Sequence, residues 1–278
     1  MKSLNVKIGI NPISWANDDL PALGGDTSLD TILSEGSEIG YRGFELGNKF
    51  PKQPDALRNV LARYGVELVS GWYSGELARR SVEEEIEAVG AHLQLLARNG
   101  ANVMVYGEVA DSIQGRQAVP LSQRPRFSGD TQWHAYAAKL DAFARYTLSQ
   151  GIGLAYHHHM GAYVETVTDI DRLMSLTGPA VGLLLDSGHI TFAGGDPADV
   201  LKRHISRVCH VHCKDVRAEV MAQARKQDWS FLDAVLKGVF TVPGDGHVDF
   251  KSLLTLLRDH GYRGWLVVEA EQDPKLAP

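Results

Sequence analysis

The sequence predicts one closed (β/α)8 barrel over residues 1–278, and three observations predict it. Eight short apolar runs alternate with helical segments along the 278 residues. The runs are continuous rather than alternating, as in parallel strands covered on both faces. The later runs end alike, in histidine or carboxylate, at the place where a barrel gathers its chemistry. No G-x-G-x-x-G follows the first strand, so a dinucleotide-binding open sheet has no support.

Taken in order, residues 6–11 read as the first strand, and 27–39 as a helix with Thr27 as its cap. Residues 41–46 form the second strand and 55–64 the next helix. The third strand is 66–71, and Ser81-Val82-Glu83-Glu84 is a capping-box-like start to a long helix reaching Arg98. Residues 102–106 are the fourth strand. Residues 107–129 carry Gly, Pro and Arg without periodicity, a long loop of the kind that serves function. A helix over 131–150 feeds the fifth strand, the run Ile152-Gly153-Leu154-Ala155-Tyr156-His157-His158-His159-Met160. Helix 164–176 stops at Gly178-Pro179, and the sixth strand, 181–186, ends at Asp186. After helix 197–204 the seventh strand runs from 208 to His212. Residues 214–248 are a second insertion, with a helical piece near 228–236 and the turn-rich Val242-Pro243-Gly244-Asp245-Gly246-His247. An amphipathic helix over 249–260 leads to the eighth strand, 264–269. Few residues remain, so the last helix is expected to be short or missing.

Composition excludes several function classes. A formal charge of -6 and a pI near 6.0 oppose nucleic acid as partner, which needs clustered Lys and Arg. No apolar run approaches the roughly 18 residues of a membrane span and no secretory segment opens the chain, so a cytoplasmic location is expected. The two cysteines, Cys209 and Cys213, suit a reducing compartment. On a straight strand they alternate with His210 and His212 and point away from them, which opposes a mixed Cys/His zinc site. A homo-oligomer is compatible with this composition.

The strand ends point to a metal. Within the histidine triplet, His157 and His159 share one face of a strand and His158 takes the other. His157 or His159, Asp186, His212 and Glu269 stand at the ends of strands five to eight. Nitrogen and carboxylate donors converging there suit a divalent ion such as Mn2+ or Co2+, with open positions for substrate oxygens. Each alone has a plainer explanation: Asp186 as a helix cap, His212 as a satisfied core histidine. Four adjacent strands ending alike favour the site. Around it stand His189, Lys214, Glu45 and Glu271, and at the other strand ends Asn11, Trp15, Trp72 and Tyr106. Amide and aromatic groups of this kind line sugar or polyol pockets. No phosphate loop is present, so the expected partner is an uncharged small molecule.

At these positions the sequence resembles a known family. Asp186 with His189, His212 with Lys214-Asp215 in His-Val-His-Cys-Lys-Asp, and Glu269 look like the metal and substrate positions of the xylose-isomerase-like TIM barrel superfamily. Within it, Ile10-Asn11-Pro12-Ile13-Ser14-Trp15-Ala16-Asn17-Asp18-Asp19, Gly43-Phe44-Glu45-Leu46-Gly47-Asn48-Lys49-Phe50-Pro51, Tyr156-His157-His158-His159-Met160-Gly161 and Val267-Val268-Glu269-Ala270-Glu271-Gln272-Asp273-Pro274 resemble the myo-inosose-2 dehydratase family. The resemblance runs over nearly the whole chain. It implies dehydration of 2-keto-myo-inositol (scyllo-inosose), a polyol ketone, to a trihydroxycyclohexane dione in inositol catabolism, with Co2+ or Mn2+ and glutathione. It puts His157, Asp186, His212 and Glu269 on the metal and His159 on the substrate. One departure is that many superfamily members carry Glu where this chain has His157, so the roles of His157 and His159 stay exchangeable at this point.

The chemistry expected is carbon-oxygen bond cleavage by acid and base. Lys214, its pKa lowered by metal and burial, or His159 would remove the proton beside the ketone, with His189 or Glu271 helping the hydroxyl leave. Asn11, Trp15, Glu45, Trp72, Tyr106 and Glu271 are expected to bind substrate. The rival readings are a metal-dependent ketose or inosose isomerase or epimerase on the same barrel, an endonuclease for abasic DNA, which the acidic charge opposes, and a non-catalytic polyol-binding protein.

Overall fold

The computed structural model describes residues 4–275. The apolar runs become β1 (Lys7–Ile10), β2 (Gly43–Leu46), β3 (Glu67–Gly75), β4 (Val103–Glu108), β5 (Gly153–His157), β6 (Val181–Asp186) and β7 (Val208–Cys213). A two-residue hairpin follows, β8 (Asp215–Val216) antiparallel to β9 (Phe240–Thr241), before β10 (Trp265–Val268) closes the circuit. The eight longer strands, all parallel, form a closed barrel in the order β1-β10-β7-β6-β5-β4-β3-β2. Closure is made by Lys7↔Trp265 through Ile10↔Val268.

Local chemistry sets the helix starts. α1 (Leu29–Ile39) is capped by Ser28, whose side chain accepts from Thr31 N; the expected cap, Thr27, lies one residue too early. α2 (Pro54–Tyr64) begins on a proline, whose missing N–H costs nothing there. α3 (Val82–Arg98) carries the expected capping box between Ser81 and Glu84. α4 (Asp130–Ser149) leads into β5, and α5 (Val167–Leu176) has its own box, Thr166 with Asp169. α6 (Ser187–Phe192) and α7 (Pro197–His204) follow β6; α8 (Ala218–Gln227) and α9 (Phe231–Leu236) lie inside the hairpin insertion; α10 (Phe250–Asp259) precedes β10. Among the described residues no helix follows β10, and no helix is long and apolar enough to cross a membrane.

Three expectations change. β5 ends at His157 rather than Met160, because its pairing with β6 stops there and the chain turns at Met160 and Gly161, the latter with a left-handed φ of 80°. α6 and α8 were not expected: α6 is six residues long, and α8 is polar, with only Met221 and Ala224 buried. Cys209 does not alternate with His210. Leu183 pairs Val208 but Leu184 pairs His210, so Cys209 is the extra residue of a bulge and packs toward Val105, Ala155 and Leu184.

Those three side chains form a small cluster apart from the main core, with Trp72 against it. The opposite faces of the same strands, including Met104, Tyr106, Leu154, Tyr156, Leu183 and Leu185, belong to the large core shared with the helices. The loop over residues 109–129 is fastened to the one after β5. Arg124, 7% exposed, donates to Ala162 O and Tyr163 O and pairs with Glu165 at 3.2 Å and Asp169 at 2.8 Å.

Two helical glycines separate packing from propensity. A Cβ on Gly36 would stand 2.3 Å from the Phe44 ring, whereas one on Gly90 would meet nothing within 4 Å. Gly36→Ala should therefore lose roughly 1–3 kcal/mol by overpacking, and Gly90→Ala should gain about 0.5–1 kcal/mol. Urea unfolding midpoints of the two variants measure both.

Candidate active site

Register brings the polar strand ends to one level. Asp186 of β6 is the lateral partner of His212 of β7, and His212 in turn faces Val267 of β10, two residues before Glu269. His157 closes β5 beside Leu184 of β6. His157, Asp186, His212 and Glu269, all buried, each offer a donor atom within 4.8 Å of the others. Asp186 Oδ2 lies 3.5 Å from His157 Nε2 and 3.4 Å from His212 Nδ1, and Glu269 Oε2 lies 2.6 Å from that Nδ1.

Each donor is oriented from behind. Asp186 Oδ1 accepts the His189 N–H at 2.8 Å and so caps α6, which leaves Oδ2 turned to the cluster. Both sequence readings of Asp186, helix cap and cluster member, are therefore realised, one on each oxygen. His157 Nδ1 donates to His158 O at 2.6 Å, which leaves the lone pair on Nε2 toward Asp186. His212 Nε2 donates to Glu45 Oε1 at 3.2 Å, which leaves Nδ1 toward Asp186 and Glu269. His159 belongs to a second group with His189 and Glu271. Its Nδ1 donates to Met160 O at 2.8 Å, so its Nε2 carries the lone pair.

The donor set fits a divalent cation. Buried polar atoms without a hydrogen bond are rare, yet Asp186 Oδ2 has none and faces His157 Nε2 and His212 Nδ1 at 3.5 and 3.4 Å in the middle of the four side chains. Two imidazoles and two carboxylates suit a borderline or hard divalent ion. In their electrostatics the carboxylates are ready to hold charge. Burial opposes ionisation of Asp186, but the Lys214 ammonium and the surrounding imidazoles of His189, His157 and His212 hold its carboxyl well below the usual range. Burial likewise opposes Glu269, which Lys214 and His212 pull down to about 2.

Lys214 departs from expectation. Its ammonium is fully buried 2.5 Å from Glu269 Oε1, 3.6 Å from Glu271 Oε2 and 3.1 Å from His189 Nε2. Burial alone would lower its pKa, but Glu269, Asp186 and Glu271 together raise it above the ordinary lysine value. These three carboxylates favour the ammonium form, opposite to the lowering expected from burial. Burial pushes the Glu271 carboxyl up to about 8, against the pull of Lys214. His159 and His189 are held well below the usual imidazole range, first by burial and then by neighbouring cationic groups.

A cavity of about 400 Å³ opens over these groups. Asn11, Glu45, Trp72, His157, His159, His212, Glu269 and Glu271 line it, whereas His189 and Lys214 sit behind its wall. Trp72 stands edge-on to His157 and His159, and only Gly107 leaves room for its ring: a Cβ there would lie 2.1 Å from it. Two expected substrate residues are elsewhere. Trp15 donates to Glu35 at 2.6 Å and packs on Phe44, on the helix side of β2. Tyr106 is fully buried against Tyr73, Tyr156 and Phe143, because strand alternation gives the cavity to Val105 instead.

The cavity also has walls that sequence reasoning missed. Asp19 and Gln114 line it and hydrogen-bond each other at 3.3 Å across the two facing loops. Asn17 accepts from Asp19 N and Leu20 N and donates to Glu271 at 3.2 Å. The Asn17-Asp18-Asp19 run just past the first strand was the available signal; Gln114, in an aperiodic loop, offered none. His210, whose Nε2 donates to Glu45 at 2.8 Å, was legible as the residue two before His212 on one strand.

Comparison with known proteins agrees with this architecture. Residues 33–278 match the family described as "Xylose isomerase-like TIM barrel". The chain is 55% identical to the "Rhizopine catabolism protein MocC" of Rhizobium meliloti, over 99% of this chain and 84% of that protein. It is 44% identical to an "Inosose dehydratase" of Geobacillus thermodenitrificans and 41% identical to "Inosose dehydratase 2" of Bacillus cereus, each over 99% of this chain and 93% of the relative. Among solved structures it shares the fold of the IolI protein with a bound zinc atom, with a TM-score of 0.69 and 16% identity over 98% of this chain and 92% of that one. The chain therefore belongs to the xylose isomerase-like TIM barrel family and, within it, to the group of inosose dehydratases and MocC, and is a hydro-lyase enzyme.

Proposed function

We propose that the chain dehydrates 2-keto-myo-inositol (scyllo-inosose) to 3D-trihydroxycyclohexane-1,2-dione in inositol catabolism, as a cytoplasmic enzyme that uses Mn2+ or Co2+. The observation that carries this reading is the buried Asp186 Oδ2, which has no hydrogen bond and faces His157 Nε2 and His212 Nδ1, beside a cavity of about 400 Å³ lined by both histidines. The inosose dehydratases among the relatives supply the reaction class. A substrate arising in rhizopine catabolism is the second reading, favoured by the 55% identity to MocC. The family resemblance also brings glutathione into the proposal as a requirement for activity.

In this reading His157, Asp186, His212 and Glu269 hold the ion. When bound, the ion supplies a Lewis acid for the ketone oxygen, the task the reaction needs before a neighbouring C–H can be deprotonated. His159 removes that proton. Supporting it are its place in the cavity wall and a hydrogen bond that leaves Nε2 as the accepting nitrogen. Glu271 gives a proton to the departing hydroxyl, which leaves as water. Its support is a carboxyl kept protonated near neutral pH and a donor atom within 4.8 Å of those of His159 and His189. Lys214 and His189 act from behind, where the lysine charge balances Glu269. Asn11, Trp72, Asp19 and Gln114 are left to meet ring hydroxyls and ring faces.

Supplying scyllo-inosose and following the ultraviolet absorbance of the dione tests the reaction. Chelation should abolish turnover and added Mn2+ or Co2+ should restore it, while a rearranged ketose without loss of water would show an isomerase instead. Asp186→Asn should lose bound metal and, with it, activity. His159→Ala should keep its metal and lose about 10²-fold or more in kcat; kcat near the parent value would remove His159 as base. Assays with and without glutathione, and with substituted inososes, decide the remaining two points.

A further inference from the structure

We propose that Glu45 is a positioning residue that sets how tightly His212 grips a divalent ion, rather than a substrate contact. The proposal rests on the reading that His157, Asp186, His212 and Glu269 hold that ion. Glu45 lies on β2, across the barrel from β7, and is 3% exposed. Its Oε1 accepts from Ser70 Oγ at 2.5 Å, His210 Nε2 at 2.8 Å and His212 Nε2 at 3.2 Å, and its Oε2 accepts from Asn11 Nδ2 at 2.7 Å. An ionised carboxylate has about four lone-pair sites. The protein already brings four donors to this carboxylate, three to Oε1 and one to Oε2, although the side chain borders the cavity.

The two nitrogens of His212 divide the work. Nδ1 faces Asp186 and Glu269, and Nε2 gives its hydrogen to Glu45. A carboxylate accepting from the far side of a ligating imidazole fixes its tautomer and makes the near nitrogen a stronger donor. Glu45 is itself anchored. A register shift between β2 and β3, where Phe44 pairs Leu68 but Leu46 pairs Gly71, brings Ser70 to it. Asn11 Nδ2 reaches both Glu45 Oε2 and, at 3.4 Å, Glu269 Oε2. One amide therefore ties the anchor of one ligand to another ligand. Glu45, His210 and His212 also form a compact group of three donors. An ion there would have to displace both imidazole hydrogens that now satisfy the carboxylate.

Calorimetric titration of Mn2+ into metal-free protein tests this without reference to turnover. The parent and Glu45→Gln should each bind one ion per chain, with affinity in Glu45→Gln lower by about 10–100-fold while urea unfolding of the metal-free forms stays close. Ser70→Ala, which loosens one anchor and leaves the carboxylate, should weaken binding in the same direction by a smaller factor and serves if Glu45→Gln does not fold. Unchanged Mn2+ affinity in the foldable variants, beside its loss in Asp186→Asn, would overturn the role of Glu45 and leave the metal site standing. A raised KM with unchanged Mn2+ affinity would overturn it in favour of substrate contact, and two ions per parent chain would overturn it in favour of a second site. Failure of the parent itself to bind Mn2+ would instead remove the reading on which the proposal rests.

Discussion

The carboxylate of Asp186 is the point on which the mouth of the barrel depends. One oxygen takes the His189 N–H in the first turn of α6, and the other has no hydrogen bond among two imidazoles and a second carboxylate. A buried carboxylate with half its capacity unmet is costly unless a positive charge completes it. The same residue ends β6, starts α6 and faces the cluster, so strand register, helix direction and donor geometry are tied together. A slip of one residue in β6 would turn this side chain into the helix layer and leave a leucine in its place.

Around that point charge is arranged in two rings. The inner ring holds Asp186, Glu269 and His212 and the ring nitrogen of His157; the outer holds Glu45, Lys214, Glu271 and His189. Lys214 is the cation of the outer ring, fully enclosed and held by carboxylates on two strands' ends, with the Phe240 ring 4.6 Å away on its other side. The hairpin insertion thus has a role in the site: α9 and β9 bring Phe231 and Phe240 against His159, His189 and Lys214 and keep water from them.

The barrel was legible because its strands are uniformly apolar and its helices announce themselves through caps such as Ser81 with Glu84. The strand-end residues were legible for the same reason: in a parallel barrel the last position of each strand is a known place. Legibility failed where one residue of phase matters. Tyr106 and Val105 are neighbours with opposite facings, and only the register of β4 says which meets the cavity. Trp15 lies in a short helical turn after β1, where strand alternation no longer applies. Lys214 is expected to act as a base on the ground that a metal and burial favour the neutral amine, and the three carboxylates that oppose the effect of burial come from β6 and from beyond β10. Asp19 and Gln114 sit on loops without period, and their meeting is a fact of tertiary structure alone.

Arg124 carries a consequence for the thermodynamics of ligand capture. Its guanidinium ties the loop after β4 to carbonyls and carboxylates of the loop after β5, so that wall of the cavity is already assembled. Freezing a loose residue costs about 1–2 kcal/mol of backbone entropy. A mobile flap would draw that cost from the affinity of every encounter, and here it is met once, during folding. That side of the chamber is accordingly built before a ligand arrives, and an entering molecule exchanges its hydration shell there for donors and acceptors already in place.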